Sequence, residues 1–407
     1  MIEKNILERI LNTALDSQAD FAEVFAEHTL QQSIGLQDSK VENVGTNELS
    51  GVGIRIAKGY QSVYGHTNLA DVNSLLELTQ DLRLAFEGER VREVVELGEA
   101  DVRNNHPIEI SPETVDVSDK VSLLKRADKA ARLYSKDIKQ VNVRYMDVVQ
   151  NVQIASTEGI HVKDKRVRTR LAVNSVAQNE SDMQSGFNGP GAHQGFEFYD
   201  TFDVEEAARE SARIAVTMLY ADDCPSRTMP VVVDNGFGGV IFHEACGHGL
   251  EATRVAKNAS VFSGKKHEKI GSELVSAVDD GTIRNAWGSS NYDDEGRLQK
   301  RRVLIKNGVL TSYMVDHLNG LRMNEPSTHS GRRQSYSFAP TSRMSNTYIE
   351  NGTSTFDEII ESTDYGLYAR KMGGGSVNPS TGDFNFAVME GYMIKNGKIA
   401  EPVKGAT

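Results

Sequence analysis

The sequence predicts an α+β fold in which an N-terminal domain mixes helices with antiparallel sheet and a C-terminal domain is mostly β. A chain of 407 residues exceeds what one hydrophobic core usually serves, so we expect two domains. Amphipathic helical segments alternate with strand-like stretches in the first half. The second half instead contains hairpin signals and few long helical segments. We place the two domains at residues 1–222 and 223–407.

The first half contains four predicted helices. An apolar stripe predicts the first one, and its members are Ile6, Leu7, Ile10, Leu11 and Leu15. Further helices are predicted at about residues 70–86, 119–134 and 203–220. Asp203 is the predicted N-cap of the last helix, because its carboxylate can accept a backbone N–H.

Alternation of apolar and polar residues predicts strands at about residues 21–64 and again through residues 141–185. Asn43, Gly45 and Asn47 favour turns, and we expect them to separate the strands of the first stretch.

The second half begins with a predicted linker at residues 221–226, followed by a predicted buried strand at residues 229–233. Asn-Gly turns predict hairpins at residues 303–310 and 393–399.

Two charged runs are predicted to lie on the surface. Residues 163–168 are basic and are expected to form the solvated face of a strand. Asp293, Asp294 and Glu295 precede Gly296 but lack the remaining ligands of a calcium loop, so an acidic turn is expected there.

The net charge of −12 argues against non-specific binding to nucleic acids or anionic membranes, because both need a basic surface. No window approaches the roughly 18 apolar residues of a membrane-spanning helix. The first residues are charged where a secretory signal would be apolar, and Cys224 and Cys246 are too few for a disulfide framework. We therefore expect a cytoplasmic protein without nucleic-acid or membrane partners.

One constellation of residues indicates chemistry. His243 and Glu244 are followed by His248 in an apolar and glycine-rich setting. Two neutral imidazoles can hold a Zn²⁺ ion, and the adjacent carboxylate can take a proton from an attacking water. The sequence predicts a zinc peptidase site with His243 and His248 as ligands and Glu244 as general base. The alternative is two unrelated histidines beside a chance glutamate.

The histidine spacing is unusual, because His248 lies five residues after His243. On a regular helix the two side chains would be about 140° apart and could not share an ion. A π-bulge would restore a common face, and Gly247 lowers the resistance to such a distortion. We predict a distorted helix between His243 and Gly249.

Three segments resemble the TldD/PmbA family, whose members were once called modulators of DNA gyrase. They are residues 243–251, 372–386 and 401–407. The resemblance implies zinc-dependent cleavage of unfolded or extended peptides, with the two histidines as ligands and the glutamate as base. It also implies a dimeric cage, either a homodimer or a heterodimer with a TldE/PmbA-like subunit, in which the N-terminal domain helps to enclose the substrate.

A catalytic zinc typically has three protein ligands. The resemblance implies that the third is a cysteine beyond the stretch in which this sequence stops, at Thr407, and we expect that a tail is missing. Glu251 and Cys246 are candidate substitutes for this third ligand. Glu251 could instead support another ligand, and Cys246 could instead be a small residue packed in a core. More distant candidates, which we expect to be structural, are His267, His317 and His329.

Gly373, Gly374 and Gly375 lack the lysine and the helix of a phosphate loop. Glycines before a strand let another backbone approach closely, so they are predicted to receive a substrate strand. A tight turn or bulge is the equal alternative. Arg332 and Arg343 could orient a carboxylate or a peptide carbonyl, although ion pairs with acidic residues explain them as well.

Two other functions stay open from the sequence. If the metal site is incomplete, the chain would be a non-catalytic peptide-binding or gyrase-associated partner protein. A metal-dependent amidase or deacetylase would apply the same chemistry to small molecules.

Overall fold

The computed structural model describes residues 1–93 and 96–407. Its helices are α1 (Lys4–Leu15), α2 (Val72–Arg83), α3 (Val117–Tyr134), α4 (Phe198–Thr201), α5 (Val204–Leu219), α6 (Val240–Ala245), α7 (Ala252–Val255), α8 (His317–Met323) and α9 (Phe356–Glu361). Its first eight strands are β1 (Phe21–Gln37), β2 (Lys40–Lys58), β3 (Gln61–Thr67), β4 (Asp101–Val102), β5 (Ile138–Ser156), β6 (His161–Gln178), β7 (Met183–Asn188) and β8 (Gly191–Ala192). The others are β9 (Asp222–Asp223), β10 (Val231–Val233), β11 (Ala277–Asp280), β12 (Arg301–Lys306), β13 (Val309–Leu310), β14 (Gly331–Arg332), β15 (Thr341–Ser342), β16 (Thr347–Ile349), β17 (Tyr365–Val377), β18 (Phe384–Lys395) and β19 (Lys398–Lys404).

The N-terminal sheet has eight strands in the order β3-β2-β1-β5-β6-β4, with β7 and β8 also paired to β6. Alternate residues of a strand point to opposite faces. Val24 and Ile34 of β1 lie on the face that the helices cover, where α1 and α2 pack at one end and α3 and α5 at the other. The four predicted helices are confirmed, and Asp203 accepts a hydrogen bond from the backbone of Glu206 as the N-cap of α5.

The other face of this sheet is buried against the second half of the chain. Phe25 and Ile154 pack there with Tyr292 and Tyr336. The long strands therefore contribute side chains to a hydrophobic core on each face of the sheet. The second of these cores also contains residues from the second half of the chain.

The predicted turns at Asn43, Gly45 and Asn47 are wrong. All three lie within β2, where they pair with Gly35, Ser33 and Gln31 of β1. The chain turns instead at Asp38 and Ser39, which have φ values of 48° and 64°. A continuous ladder of backbone hydrogen bonds between two long strands outweighs the local turn preference of these residues.

The second half is built on smaller sheets. A five-stranded sheet has the order β10-β17-β18-β19-β9, a four-stranded sheet the order β13-β12-β11-β16, and β14 pairs with β15. Both predicted Asn-Gly hairpins are confirmed, with positive φ at Asn307 and Gly308 and at Asn396 and Gly397.

The prediction of a buried strand at residues 229–233 is wrong. The strand there, β10, lies at the edge of its sheet, and Val231 and Val233 are 50% and 38% exposed. The predicted linker at residues 221–226 contains β9, which pairs with the end of β19. An apolar run does not show by itself whether a strand is central or lateral.

The mixture of helices and mostly antiparallel sheets confirms the predicted α+β class. The division at residues 222 and 223 falls inside β9 and stays a prediction. None of the helices that the structure describes is long and apolar enough to cross a membrane. Cys224 and Cys246 are both free.

Candidate metal centre

The metal motif lies on α6, a short helix between two sheets. Val240 and Ile241 pack against the core beside Ala369 of β17, whereas Phe242 packs into the core of the four-stranded sheet. The apolar residues before His243 therefore attach the helix on two sides, which positions the polar residues that follow.

The helix breaks inside the motif. α6 ends at Ala245, Cys246 has a φ of −114°, and residues 247–250 form a 3-10 turn. The predicted distortion is present, but as a break followed by a tighter turn and not as a π-bulge. It brings the rings of His243 and His248 to a centroid separation of 5.0 Å, at an angle of 85°.

Two glycines let this turn pack closely. A Cβ added to Gly247 would lie 2.3 Å from Sδ of Met344, and one added to Gly249 would lie 2.7 Å from Cδ2 of Phe262. Neither distance is compatible with a normal contact, so a larger residue would push the turn away from its neighbours. Close packing, more than backbone freedom, explains these glycines.

The three predicted chemical residues converge. Potential ligand atoms of His243, Glu244 and His248 all lie within 4.8 Å of one another. Glu244 Oε2 is 3.6 Å from Nε2 of His248. In the described part of the chain, this is the one group of three or more His, Cys, Asp or Glu side chains that converges in this way.

Glu251 supports His248. Its Oε1 lies 3.0 Å from Nδ1 of His248, and the residue is 2% exposed. A carboxylate on one ring nitrogen of a histidine orients the ring and leaves the other nitrogen free for a metal ion. Of the two interpretations that the sequence left open for Glu251, its position fits the support of a ligand better than a third metal ligand.

This donor set fits a divalent metal ion such as zinc, which is bound by neutral imidazole and carboxylate groups. Burial, followed by the proximity of His248, lowers the pKa of His243 below its ordinary value. This shift favours the neutral imidazole, the form that binds a metal.

The other candidate ligands lie away from this cluster. Cys246 packs at the edge of a hydrophobic core, and burial raises the pKa of its thiol. His317 stacks on Phe21, His329 bonds a backbone carbonyl, and His267 sits in a turn with a φ of 74°. None of these three histidines belongs to the converging group.

A cavity of about 700 Å³ opens beside the cluster. Its wall includes His243, His248, Glu251, Arg168, Trp287, Arg332 and Arg343. The cavity therefore leads to the potential metal ligands, and its wall carries four arginines and one carboxylate.

Sequence reasoning missed part of this wall. The prediction that residues 163–168 form a solvated face is wrong, because Arg166 is buried between Asp164 and Asp294. Arg168, two residues further along β6, lines the cavity. Basic residues at alternate positions of one strand were the available signal, but only the opposing loops show what that face touches.

Gly373, Gly374 and Gly375 lie in β17, the strand against which α6 packs, and do not line the metal cavity themselves. The first two line a second cavity of about 640 Å³. The pairing of β17 with β18 shifts register just before Gly375, so the alternative of a bulge is present. On its other side, β17 pairs with β10 only at Leu367–Ala369, and no described strand pairs with its edge beyond Ala369.

Family models cover most of the chain. Domain 1 of the PmbA/TldA metallopeptidases matches residues 22–88, their central domain matches 110–219, and their C-terminal domain matches 226–407.

Similar full-length relatives are named metalloproteases. A metalloprotease TldD homolog of Haemophilus influenzae is 34% identical over 403 residues, which are 95% of this chain and 82% of the relative. A metalloprotease TldD homolog of Buchnera aphidicola is 32% identical, covering 96% of this chain and 82% of the relative. A metalloprotease of Methanocaldococcus jannaschii is 30% identical over 100% of this chain and 89% of its own.

Solved structures share the fold. A Thermotoga maritima protein described as a proposed modulator of a DNA gyrase superposes with a TM-score of 0.82 at 20% identity, over 98% of this chain and 90% of its own. TldE from Thermococcus kodakarensis superposes with a TM-score of 0.79 at 18% identity, over 98% and 90%. The three family models, the relatives of 30% identity or more and the shared fold agree with one another. The chain belongs to the PmbA/TldD metallopeptidase family.

Proposed function

We propose that this protein is a zinc-dependent peptidase that hydrolyses peptide bonds in unfolded or extended peptides. The observation that carries the proposal is the convergence of His243, Glu244 and His248 in the wall of an open cavity. Membership of a metallopeptidase family supports the reaction class. The metal identity and the substrate are our inference.

Each residue has a separate role in this proposal. His243 and His248 hold the ion, and Glu251 keeps the ring of His248 oriented through Nδ1. When bound, zinc would polarise the scissile carbonyl and lower the pKa of a bound water. Glu244 accepts a proton from the attacking water and passes it to the leaving amine.

The free edge of β17 is the proposed place for the substrate backbone. A Cβ on Gly374 would meet no atom within 4 Å, so the space beside this residue is open. An extended peptide can add to such an edge through main-chain hydrogen bonds, which tolerate many sequences. A folded protein cannot present its backbone in this way, which supports a preference for extended substrates.

The proposed assembly is a dimer, of this chain alone or with a TldE/PmbA-like subunit. One of the structures with this fold is named TldE, which motivates the second form. We keep the cytoplasm as the proposed location, in agreement with two free cysteines.

Glu244→Gln tests the proposal because it removes the base and retains the size of the side chain. We expect one zinc per chain to remain, by mass spectrometry, while cleavage of an unstructured polypeptide such as casein falls by a factor on the order of 100 or more. His243→Ala should lose both the metal and the activity. Loss of zinc in Glu244→Gln would make Glu244 a ligand, and unchanged cleavage would refute its role.

The non-catalytic peptide-binding or gyrase-associated alternative predicts another result. The wild-type chain, loaded with zinc, would then bind unstructured peptides without cleaving them. A small-molecule amidase would cleave small amides but not casein.

A further inference from the structure

We infer that the metal cavity contains a subsite for a carboxylate of the substrate, formed by Arg168, Arg332 and Arg343. This inference rests on the proposed peptidase function and specifies its substrate class: peptides with a carboxylate close to the scissile bond. The carboxylate is either the C-terminus of the peptide or the side chain of Asp or Glu.

The three arginines share one cavity with the metal ligands. All three line the same wall as His243 and His248. The charge of Arg343 acts on both His243 and Arg332, and that of Arg332 acts on Arg168. The guanidinium groups therefore form a connected positive surface that begins beside the metal cluster.

Two of these arginines are held by backbone carbonyls and not by acids. Arg168 donates Nε to Trp287 O at 2.8 Å and Nη2 to Ser289 O at 3.2 Å. Arg332 donates Nη1 to Met344 O at 2.8 Å. In the part of the chain that the structure describes, neither has a carboxylate oxygen within 4.0 Å.

Neighbouring arginines show what a structural role looks like in this protein. Arg166 is paired with Asp164 at 2.9 Å and with Asp294 at 2.6 Å, and Arg333 is paired with Glu23 at 2.7 Å. These pairs are buried and leave no charge for a ligand. Arg168 and Arg332 keep their charge directed at the cavity.

Arg343 differs from the other two because its side chain is exposed. Its side chain is 52% exposed, and its nearest acid is Glu251, at 3.6 Å. Glu251 already contacts His248, so the guanidinium of Arg343 is not held in a short ion pair. A substrate carboxylate can therefore bind Arg343 without displacing Glu251 from a close contact.

The energetics favour an anionic guest. Burial and the charges of Arg332 and Arg166 lower the pKa of Arg168 to about 9. Asp294 offsets part of this repulsion, and an anion that binds between the guanidinium groups would stabilise them further. Arginine also binds a carboxylate in a two-point geometry, which a neutral amide cannot reproduce. In a protein of net charge −12, such a local positive cavity stands out from the rest.

The test uses the zinc-loaded full chain and matched unstructured peptides. One pair differs only in a free C-terminal acid against a C-terminal amide, and a second pair differs in Asp against Asn beside the scissile bond. Binding is measured by calorimetry on the Glu244→Gln variant, so it does not depend on turnover, and kcat/KM is measured on the wild-type protein.

We expect the acidic member of one pair to bind about tenfold more tightly than its neutral partner, the size of one charge-assisted hydrogen bond. The pair that responds identifies the carboxylate as terminal or as a side chain. Adding Arg343→Met to the Glu244→Gln variant should abolish the preference for the acidic peptide. Direct binding of the carboxylate to zinc would instead leave that preference unchanged. Arg301→Met is the control, because Arg301 is exposed, pairs with Glu350 and does not line the cavity.

Equal affinities within both pairs would overturn the subsite, as would a preference that survives Arg343→Met. Absence of cleavage by the wild-type protein, with the binding preference intact, would refute the peptidase and leave the subsite standing. Cleavage by the wild-type protein without any preference for the acidic peptides would support the peptidase and refute the subsite.

Discussion

The two ring nitrogens of His248 have different tasks in the proposed site. Nδ1 lies 3.0 Å from the buried carboxylate of Glu251, while Nε2 faces Glu244 and His243. The sequence places Glu251 three residues after His248, but this spacing alone also fits a third metal ligand. Only the orientation of the ring shows that the carboxylate contacts the nitrogen turned away from the cluster.

We expect Glu251→Gln to weaken zinc binding by about 10- to 100-fold, because the amide orients His248 less firmly and lowers its basicity. The measurement is a zinc dissociation constant by competition with a chelator. Glu273→Gln is the control, since Glu273 is exposed and far from the motif in the chain. A similar affinity in both variants would show that Glu251 does not support the metal centre.

At the scale of the element, α6 and β17 are both irregular where function is proposed. The break after α6 brings two histidines together that a regular helix would separate. β17 loses its regular pairing just before Gly375 and has an open edge beyond Ala369. The prediction of irregularity at both places could be made from glycine content, whereas the form of each distortion could not, because it depends on neighbours such as Met344.

Gly374→Val tests the open edge. The added side chain meets no atom within 4 Å, so the free energy of unfolding should stay within about 0.5 kcal/mol of the wild-type value. The same side chain would obstruct a substrate strand, and we expect kcat/KM for an unstructured peptide to fall on the order of tenfold.

Gly352→Val is the matched control for this variant, since a Cβ on Gly352 also meets no atom within 4 Å and the residue lies in an exposed loop. If Gly374→Val folds and cleaves peptides as well as the control does, the substrate does not use this edge.

At the scale of the whole molecule, a buried ionic network joins the two halves of the chain. Arg55 donates to Glu23 and Glu295, both at 2.9 Å, and Glu23 also accepts from Arg333 at 2.7 Å. Arg333 belongs to the wall of the metal cavity. The run that begins at Asp293, predicted to be a surface turn, is buried instead, so that prediction is wrong. Two of its three carboxylates pair with arginines of the N-terminal sheet, Asp294 with Arg166 and Glu295 with Arg55.

Arg55→Met should destabilise the protein by about 3–5 kcal/mol, because it leaves Glu23 and Glu295 buried without their shared partner. Urea unfolding, followed by circular dichroism, measures this loss. Arg209→Met serves as the comparison: its side chain is 44% exposed and its ion pair with Glu206 should contribute little. Equal stability of the two variants would contradict a structural role for the network.

The sequence by itself determined the α+β class, the helices and both Asn-Gly hairpins, and it singled out His243, Glu244 and His248, which converge in the structure. These features depend on local signals: periodicity, turn chemistry and a short run of ligand types that no other segment repeats. The turn between β1 and β2, the exposure of β10 and the burial of Asp293 and Arg166 were decided only by the tertiary structure. Pairing with β1 outweighs the turn preference of residues in β2, and the buried charges depend on opposite charges elsewhere in the chain. β10 is exposed because it lies at the edge of its sheet. The arginine wall beside the metal centre also depends on the tertiary structure. Its residues come from β6, from β14 and from the segment after β15, more than a hundred residues later, and they meet only after folding.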